Sequence, residues 1–293
     1  MPASSPSTGQ RHTADQPAAT GPTGPVPGHD QRSGTSAAHP ARVYAYWIGG
    51  KDYYETDRNA AEQVIRERPQ VVAGARANRA FLARVVRYLA ASCGVRQFID
   101  IGTGLPAPQN THQIAQNVDP ACRVVYVDND PVVLAHARAL LTSTPEGTCA
   151  YLHADVRDTA TILAAAARTL DLTQPVAVLL LAILHFIPDA DDPPAIVTAL
   201  ADRLAPGSYL AISHLTADFA PTQVTAAAGA YNNLVSVPVT PRSHTQISGL
   251  FGALPLVAPG VVPVTEWRPS ALLPHRHTAD LHAGLARTPS SHR

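Results

Sequence analysis

The sequence predicts an α/β fold: a doubly wound, mostly parallel, seven-stranded sheet with an antiparallel edge hairpin, preceded by helices. Three observations carry that expectation. From residue 95 onward, short apolar segments alternate with helical stretches, the pattern of parallel βα units. The run Val176–Leu184 is apolar throughout and of strand length, as a central parallel strand buried on both faces requires. Hydrophobic residues make up 45% of the 293 residues but aromatics only 5%, so the core has to be built from Ala, Val, Leu and Ile.

The first 40 residues hold seven prolines and five glycines and no aromatic, Leu or Ile side chain. Such a segment cannot bury enough apolar surface to offset its ordering entropy, and residues 1–40 read as a disordered tail. Order is expected from Arg42–Ile48, followed by a helix capped by Asp57 and stopped by Pro69, and a second helix over 70–91. On that second helix Val71, Ala75, Leu82, Val85 and Leu89 share a face, and Asn78 falls among them. A buried amide there needs a partner, either a neighbouring loop or a ligand. Residues 41–92 thus form a helical segment, 93–270 the sheet domain and 271–293 a C-terminal tail. Strands are expected over 97–101, 123–127, 149–153, 176–184 and 208–213. Helices are expected over 131–141, 158–170, 192–204, 221–232 and 242–251. Leu256–Trp267 reads as a hairpin around Pro259–Gly260.

Composition excludes several classes. The 22 basic residues balance 22 acidic ones, which leaves no basic footprint for nucleic acid or for an anionic membrane surface. The longest apolar run is far shorter than the roughly 20 residues of a membrane-spanning helix, and the N-terminal segment has no signal-peptide core. A cytoplasmic chain is expected. Cys93, Cys122 and Cys149 are scattered and fit reduced thiols. The 13 histidines show no metal-ligand spacing, so no metal is expected. Lys51 is the single lysine among the basic residues, which suggests a position that needs a compact ammonium.

The chemistry concentrates at the ends of the expected strands, where open α/β sheets bind ligands. Asp100-Ile101-Gly102-Thr103-Gly104 closes the first strand, and its glycines let backbone approach a ligand closely. A dinucleotide fingerprint would need a third glycine at 107. The chain has Pro106-Ala107 instead, which removes a donor from a pyrophosphate cradle and disfavours an NAD-dependent oxidoreductase. Asp128, followed by Asn129, ends the second strand and can accept both hydroxyls of a ribose. Asp155 follows the third and can accept from an adenine amino group. His185 interrupts the most apolar run, at the end of the fourth strand, where it is either a general base or a satisfied structural histidine. His214 is a second, weaker candidate.

Residues from about Ala41 to Trp267 resemble an actinobacterial S-adenosyl-methionine-dependent methyltransferase family once classed as a domain of unknown function. The resemblance rests on Gly49-Gly50-Lys51-Asp52, Ala75–Phe81, Phe98–Pro106, Val125–Pro131, Asp155–Asp158 and Leu184–Pro188. It implies a class I Rossmann-like fold and S-adenosyl-methionine as cofactor. Asp100, Gly102 and Gly104 would line the methionine part, Asp128 would bind the ribose and Asp155 the adenine. The helices of 41–92, with the Gly49–Asp52 loop and Asn78, would form a lid over the site, and Gly50, Lys51 and Asn78 would bind the cofactor. Asn129 and Ala182 complete the expected cofactor-binding set, and His185 is the expected catalytic residue. The expected acceptor is a small molecule reacting at O or N. A non-catalytic S-adenosyl-methionine-binding accessory protein is the alternative.

Overall fold

A computed structural model of the chain describes residues 37–269 and 279–289. The tail expected over 1–40 lies outside the described residues as far as 36, but its last residues are ordered. Ala38 is buried and bridges to Val235, and helix α1 (Pro40–Trp47) begins with Pro40 in its first turn. The imidazole of His39 caps that helix, accepting from the Ala41 N–H at 3.3 Å.

Helices α2 (Glu55–Glu67) and α3 (Gln70–Ser92) follow, separated at Pro69 as the sequence requires. Asp57 is not the cap residue of α2. It lies inside the first turn, fully buried, where it accepts from the Tyr54 N–H (2.8 Å), the His39 N–H (2.8 Å) and Arg42 Nε (2.7 Å). This single carboxylate ties the start of α1 to the start of α2. Val43, Ala60 and Val64 then pack with Ala227, Ala228 and Tyr231 of α8 (Pro221–Asn232) in a small core of their own.

The main sheet comprises β1 (Gln97–Ile101), β2 (Arg123–Asp128), β3 (Thr148–His153), β4 (Ala177–Leu181), β5 (Tyr209–Leu215), β6 (Val262–Pro263) and β7 (Leu281–Arg287), in the order β3-β2-β1-β4-β5-β7-β6. The first five are parallel, and β7 runs antiparallel to β5 and β6. The strand order reverses between β1 and β4, which creates a switch point there. Alternate side chains feed two cores. Ile99, Ile101, Val125 and Val127 face one layer of helices, and Phe98, Val124 and Tyr126 the other. Crossover helices are α4 (Thr111–Gln116), α5 (Pro131–Leu140), α6 (Thr159–Ala166) and α7 (Pro193–Ala201), with α9 (His244–Gly249) after α8.

Three sequence expectations are corrected. Leu256–Trp267 is not a self-contained hairpin: its two-residue strand β6 pairs with β7, which comes from the segment read as a C-terminal tail. Helix α4 was not foreseen, although Asn110 and Gln113 mark its start, Gln113 Oε1 accepting from the Asn110 N–H at 2.9 Å. The fourth strand stops at Leu181, and Leu184–Phe186 forms a 3-10 turn. Among the described residues no helix is long and apolar enough to cross a membrane.

Candidate functional site

A cavity of about 290 Å³ opens at the carboxyl ends of β1, β2, β4 and β5, and residues of α1, α3 and α8 also line it. Gly102 sets the turn at its centre. Its φ is +73°, and a Cβ there would meet Ile183 Cδ1 at 2.7 Å, so conformation and space both exclude a side chain. The Gly102 N–H donates to the Val127 carbonyl at 2.8 Å, which pulls the end of β1 against β2.

Asp100 shares the face of Phe98 and is 8% exposed. Its Oδ2 accepts from Thr111 Oγ1 on α4 at 2.6 Å. Burial pushes its carboxyl up to about 6, against the pull of Thr111 and the Arg79 guanidinium. Asp128 is also buried. One oxygen accepts from the Gly104 N–H and the other from the Asp130 N–H, each at 2.9 Å, and both oxygens keep lone pairs for a ligand. Burial raises its pKa, and the two backbone donors oppose that shift. Asp155 is more open, and Arg157 grips it through Nε (2.8 Å) and a terminal nitrogen (2.7 Å). That grip holds the Asp155 carboxyl down to about 2. Exposed Asn129 donates to Asp155 Oδ2 at 3.4 Å.

The other half of the cavity is built across helices and strands. Asn78 Nδ2 donates to Tyr44 Oη (3.2 Å), whose hydroxyl donates to the Ala75 carbonyl (2.9 Å), while Ser213 Oγ donates to Asn78 Oδ1 (2.6 Å). The buried amide expected on α3 is therefore a bridge between α1 and β5. Ser213 in turn accepts the Ala182 N–H through both its carbonyl and its hydroxyl, each at 3.0 Å. Those bonds hold Ala182 at φ +56°, a left-handed conformation that costs a side-chain-bearing residue about 1–2 kcal/mol.

His185 lies in the 3-10 turn, 7% exposed, and lines the same cavity. Its Nδ1 accepts from the Leu215 N–H over a long 3.4 Å, so the neutral ring carries its proton on Nε2. Burial, with His214 and Arg242 nearby, holds its pKa well below the ordinary value. His214 is fully committed: Nδ1 donates to the Leu215 carbonyl (2.7 Å) and Nε2 accepts from Arg242 (2.9 Å). Burial pushes it down to about 4, and its partners make it structural.

Asn78, Asp100, Gly102, Gly104, Asp128, Asn129, Asp155, Ala182 and His185 thus share one cavity. Gly50 and Lys51 do not: both are exposed outside its wall, and Gly50 instead closes the end of α1 by donating to the Ala45 carbonyl at 2.8 Å. Lys51 rests on no site geometry. Sequence reasoning missed Tyr44, Arg242 and Tyr231. Tyr44 had a signal, since it lies in the aromatic-rich stretch where order begins. Arg242, in a run without periodicity, had none.

The guanidinium groups that line the cavity are already engaged: Arg68 with Asp280, Arg79 with the carbonyls of Pro108 and Gln109, Arg157 with Asp155 and Asp191. What the site offers a ligand is carboxylate acceptors and a glycine turn. That set suits a nucleoside carrying positive charge better than one carrying phosphates. The sequence profile of the S-adenosyl methyltransferase family matches residues 28–289. The chain belongs to that family. Its members use S-adenosyl-methionine, and the acceptor-rich site fits this cofactor. A DUF574 family protein from Streptomyces avermitilis MA-4680 is 47% identical over 88% of this chain and 100% of its own, with a TM-score of 0.84. A protein from Thermobifida fusca YX is 38% identical over 87% of this chain and 96% of its own, with a TM-score of 0.79. No curated protein matches the chain.

Proposed function

We propose that this S-adenosyl methyltransferase family member catalyses methyl transfer from S-adenosyl-methionine to O or N of a small molecule. The observation that carries the proposal is a single cavity with two unlike halves, carboxylates beyond β1–β3 and an apolar wall around His185 beyond β4 and β5. In this reading Asp128 accepts the ribose hydroxyls, Asp155 and Asn129 meet the adenine edge, and Asp100 with Gly102 and Gly104 faces the methionine part. Asn78 and Ala182 fix the wall between the halves.

S-adenosyl-methionine supplies an activated methyl group when bound, so the protein's own task is largely to orient and to exclude water. Helices α1–α3 and α8 close the cavity on the side away from the sheet edge residues. His185, unlike His214, has a ring that is not fixed by two strong partners. Its long bond from the Leu215 N–H is easily given up, which frees Nδ1 to take a proton from the acceptor. Replacing His185 by Ala is expected to lower turnover by about 10- to 100-fold, the low end of general-base effects because burial weakens its basicity. The affinity for S-adenosyl-homocysteine should stay within about threefold. Unchanged turnover would remove His185 from the reaction.

The proposal is tested with methyl-labelled S-adenosyl-methionine and an extract divided into small-molecule and macromolecular fractions. Label is expected in the small molecules; label only in protein or nucleic acid would overturn the acceptor class, and none in any fraction would favour a non-catalytic binding protein. A pH series tests Asp100. Its carboxyl, lifted to about 6, is protonated at pH 5 and ionised at pH 7. A ligand bearing an ammonium selects the ionised form, so affinity for S-adenosyl-homocysteine should rise about tenfold per pH unit below 6 and level off above it. Asp100→Asn should flatten that rise.

A further inference from the structure

One group on the apolar side is used by nothing described so far. Tyr231, near the end of α8, lines the cavity and is 5% exposed. Its hydroxyl is buried and has no hydrogen-bond partner among the described residues. Buried hydroxyls are nearly always bonded, because an unmade bond leaves their desolvation uncompensated. The neighbours explain why nothing satisfies this one. Ala228, Val235 and Val239 are aliphatic, and Trp47 and Phe186 present rings whose centroids lie 6.4 and 6.2 Å from that of Tyr231, tilted by 43° and 32°. Burial also pushes the phenol far above its ordinary range, so it stays protonated and able to donate.

We propose that Tyr231 Oη is the polar anchor for the methyl acceptor, and that the acceptor is a neutral molecule with a flat apolar ring bearing a hydroxyl or carbonyl oxygen. This rests on the methyltransferase reading above and specifies its acceptor. The rings of Trp47, Phe186 and Tyr231 pack on one another and line the same cavity, so a planar acceptor laid against them would gain tilted and edge-on contacts. Charge is not wanted there. The ionic residues among this part of the lining, Arg68 and Asp280, are joined by two bonds of 2.8 and 2.9 Å and are spent on each other. An anion or cation entering this half would lose its hydration without a free counter-charge. A ring lacking the oxygen would leave Tyr231 Oη as unsatisfied as it is now, so the hydroxyl selects as well as holds.

The test uses the full chain saturated with S-adenosyl-homocysteine, titrated with 2-naphthol, naphthalene and 2-naphthoate. We expect 2-naphthol to bind, naphthalene to bind at least about tenfold more weakly, and 2-naphthoate not to bind measurably. Tyr231→Phe keeps the ring and removes only the hydroxyl. It should bring 2-naphthol down to the level of naphthalene while leaving S-adenosyl-homocysteine affinity unchanged. Without any ligand it should melt about 2–4 °C higher than wild type, because an unsatisfied buried group is gone. A lower melting temperature would show that the hydroxyl has a partner within the protein and would overturn the proposal. So would 2-naphthol that fails to bind the loaded wild type, binds Tyr231→Phe equally well, or is outcompeted by the naphthoate. Failure of S-adenosyl-homocysteine itself to bind would instead overturn the cofactor site on which the proposal rests.

Discussion

Replacing Asp128 by Ala is expected to weaken S-adenosyl-homocysteine binding by about 100-fold. A hydrogen bond to a buried charged acceptor contributes roughly 1.5–3 kcal/mol, and a ribose offers two hydroxyls to the two oxygens of Asp128. Losing both bonds removes about 3 kcal/mol, which is a factor of somewhat more than 100 in Kd. The same carboxylate receives the Gly104 and Asp130 N–H groups, so its removal also loosens the turn that follows β1. Asp128→Asn separates the two contributions: it keeps one carbonyl oxygen and should lose only about tenfold. Asp155→Ala should lose least, a few-fold, since Asp155 is partly open to solvent and already saturated by Arg157. Calorimetric titration of the three variants orders them. An Asp128→Ala affinity within threefold of wild type would place the ribose elsewhere.

The carboxylate-lined half of the cavity was legible in the sequence because its residues lie close to strand ends. Asp100, Gly102, Gly104, Asp128 and Asp155 each lie within a few residues of the end of a short strand-length run, and parallel strands carry such positions to one edge of the sheet. The half around His185 was only partly legible: His185 and Asn78 stood out in the sequence, but the partners that place them come from distant segments. Tyr44, Asn78 and Ser213 come from α1, α3 and β5, and only the folded chain brings their hydroxyls and amide together. Gly50 and Lys51 sat in a pattern that suggested a site, yet local closure of α1 accounts for Gly50.

The edge of the sheet failed for a different reason. β7 reads Leu-His-Ala-Gly-Leu-Ala-Arg, with no β-branched residue and a central glycine, so its intrinsic preference gives no strand signal. Tertiary pairing decides it. Seven residues of β7 register against β5, and Gly284 is needed because a Cβ there would press on Phe251 and Val261 at 3.0 Å. The hairpin expected around Pro259–Gly260 had the turn residues but not the partner, which lies beyond it in the chain.

Arg242 illustrates how much of the His185 half hangs on one residue without a sequence signal, and Arg242→Leu is expected to destabilise the fold by about 3–5 kcal/mol. The guanidinium is 3% exposed. It donates to the Leu184 carbonyl (3.0 Å), the Ile187 carbonyl (2.7 Å) and His214 Nε2 (2.9 Å), so it spans both ends of the turn that carries His185. Its bonds to Asp189 matter less, since that carboxylate is largely in solvent. Leucine fills the space but leaves the Ile187 carbonyl and a ring nitrogen buried without the Arg242 donor, while the Leu184 carbonyl keeps the Ile187 N–H, and that loss dominates. At about 2–4 °C per kcal/mol for a domain of this size, the melting temperature should fall by roughly 10 °C. Arg242→Lys keeps the charge but cannot reach several divergent acceptors from one point, so it should fall between Leu and wild type. Because Asp128 and Asp100 are held by other elements, any Arg242→Leu protein still folded at low temperature should bind S-adenosyl-homocysteine with near wild-type affinity while losing turnover. A variant that melted like wild type would mean that the turn holds itself. A variant that lost cofactor affinity and turnover together would mean that the two halves of the cavity form one cooperative unit, in which the strand-end carboxylates depend on the turn beyond β4.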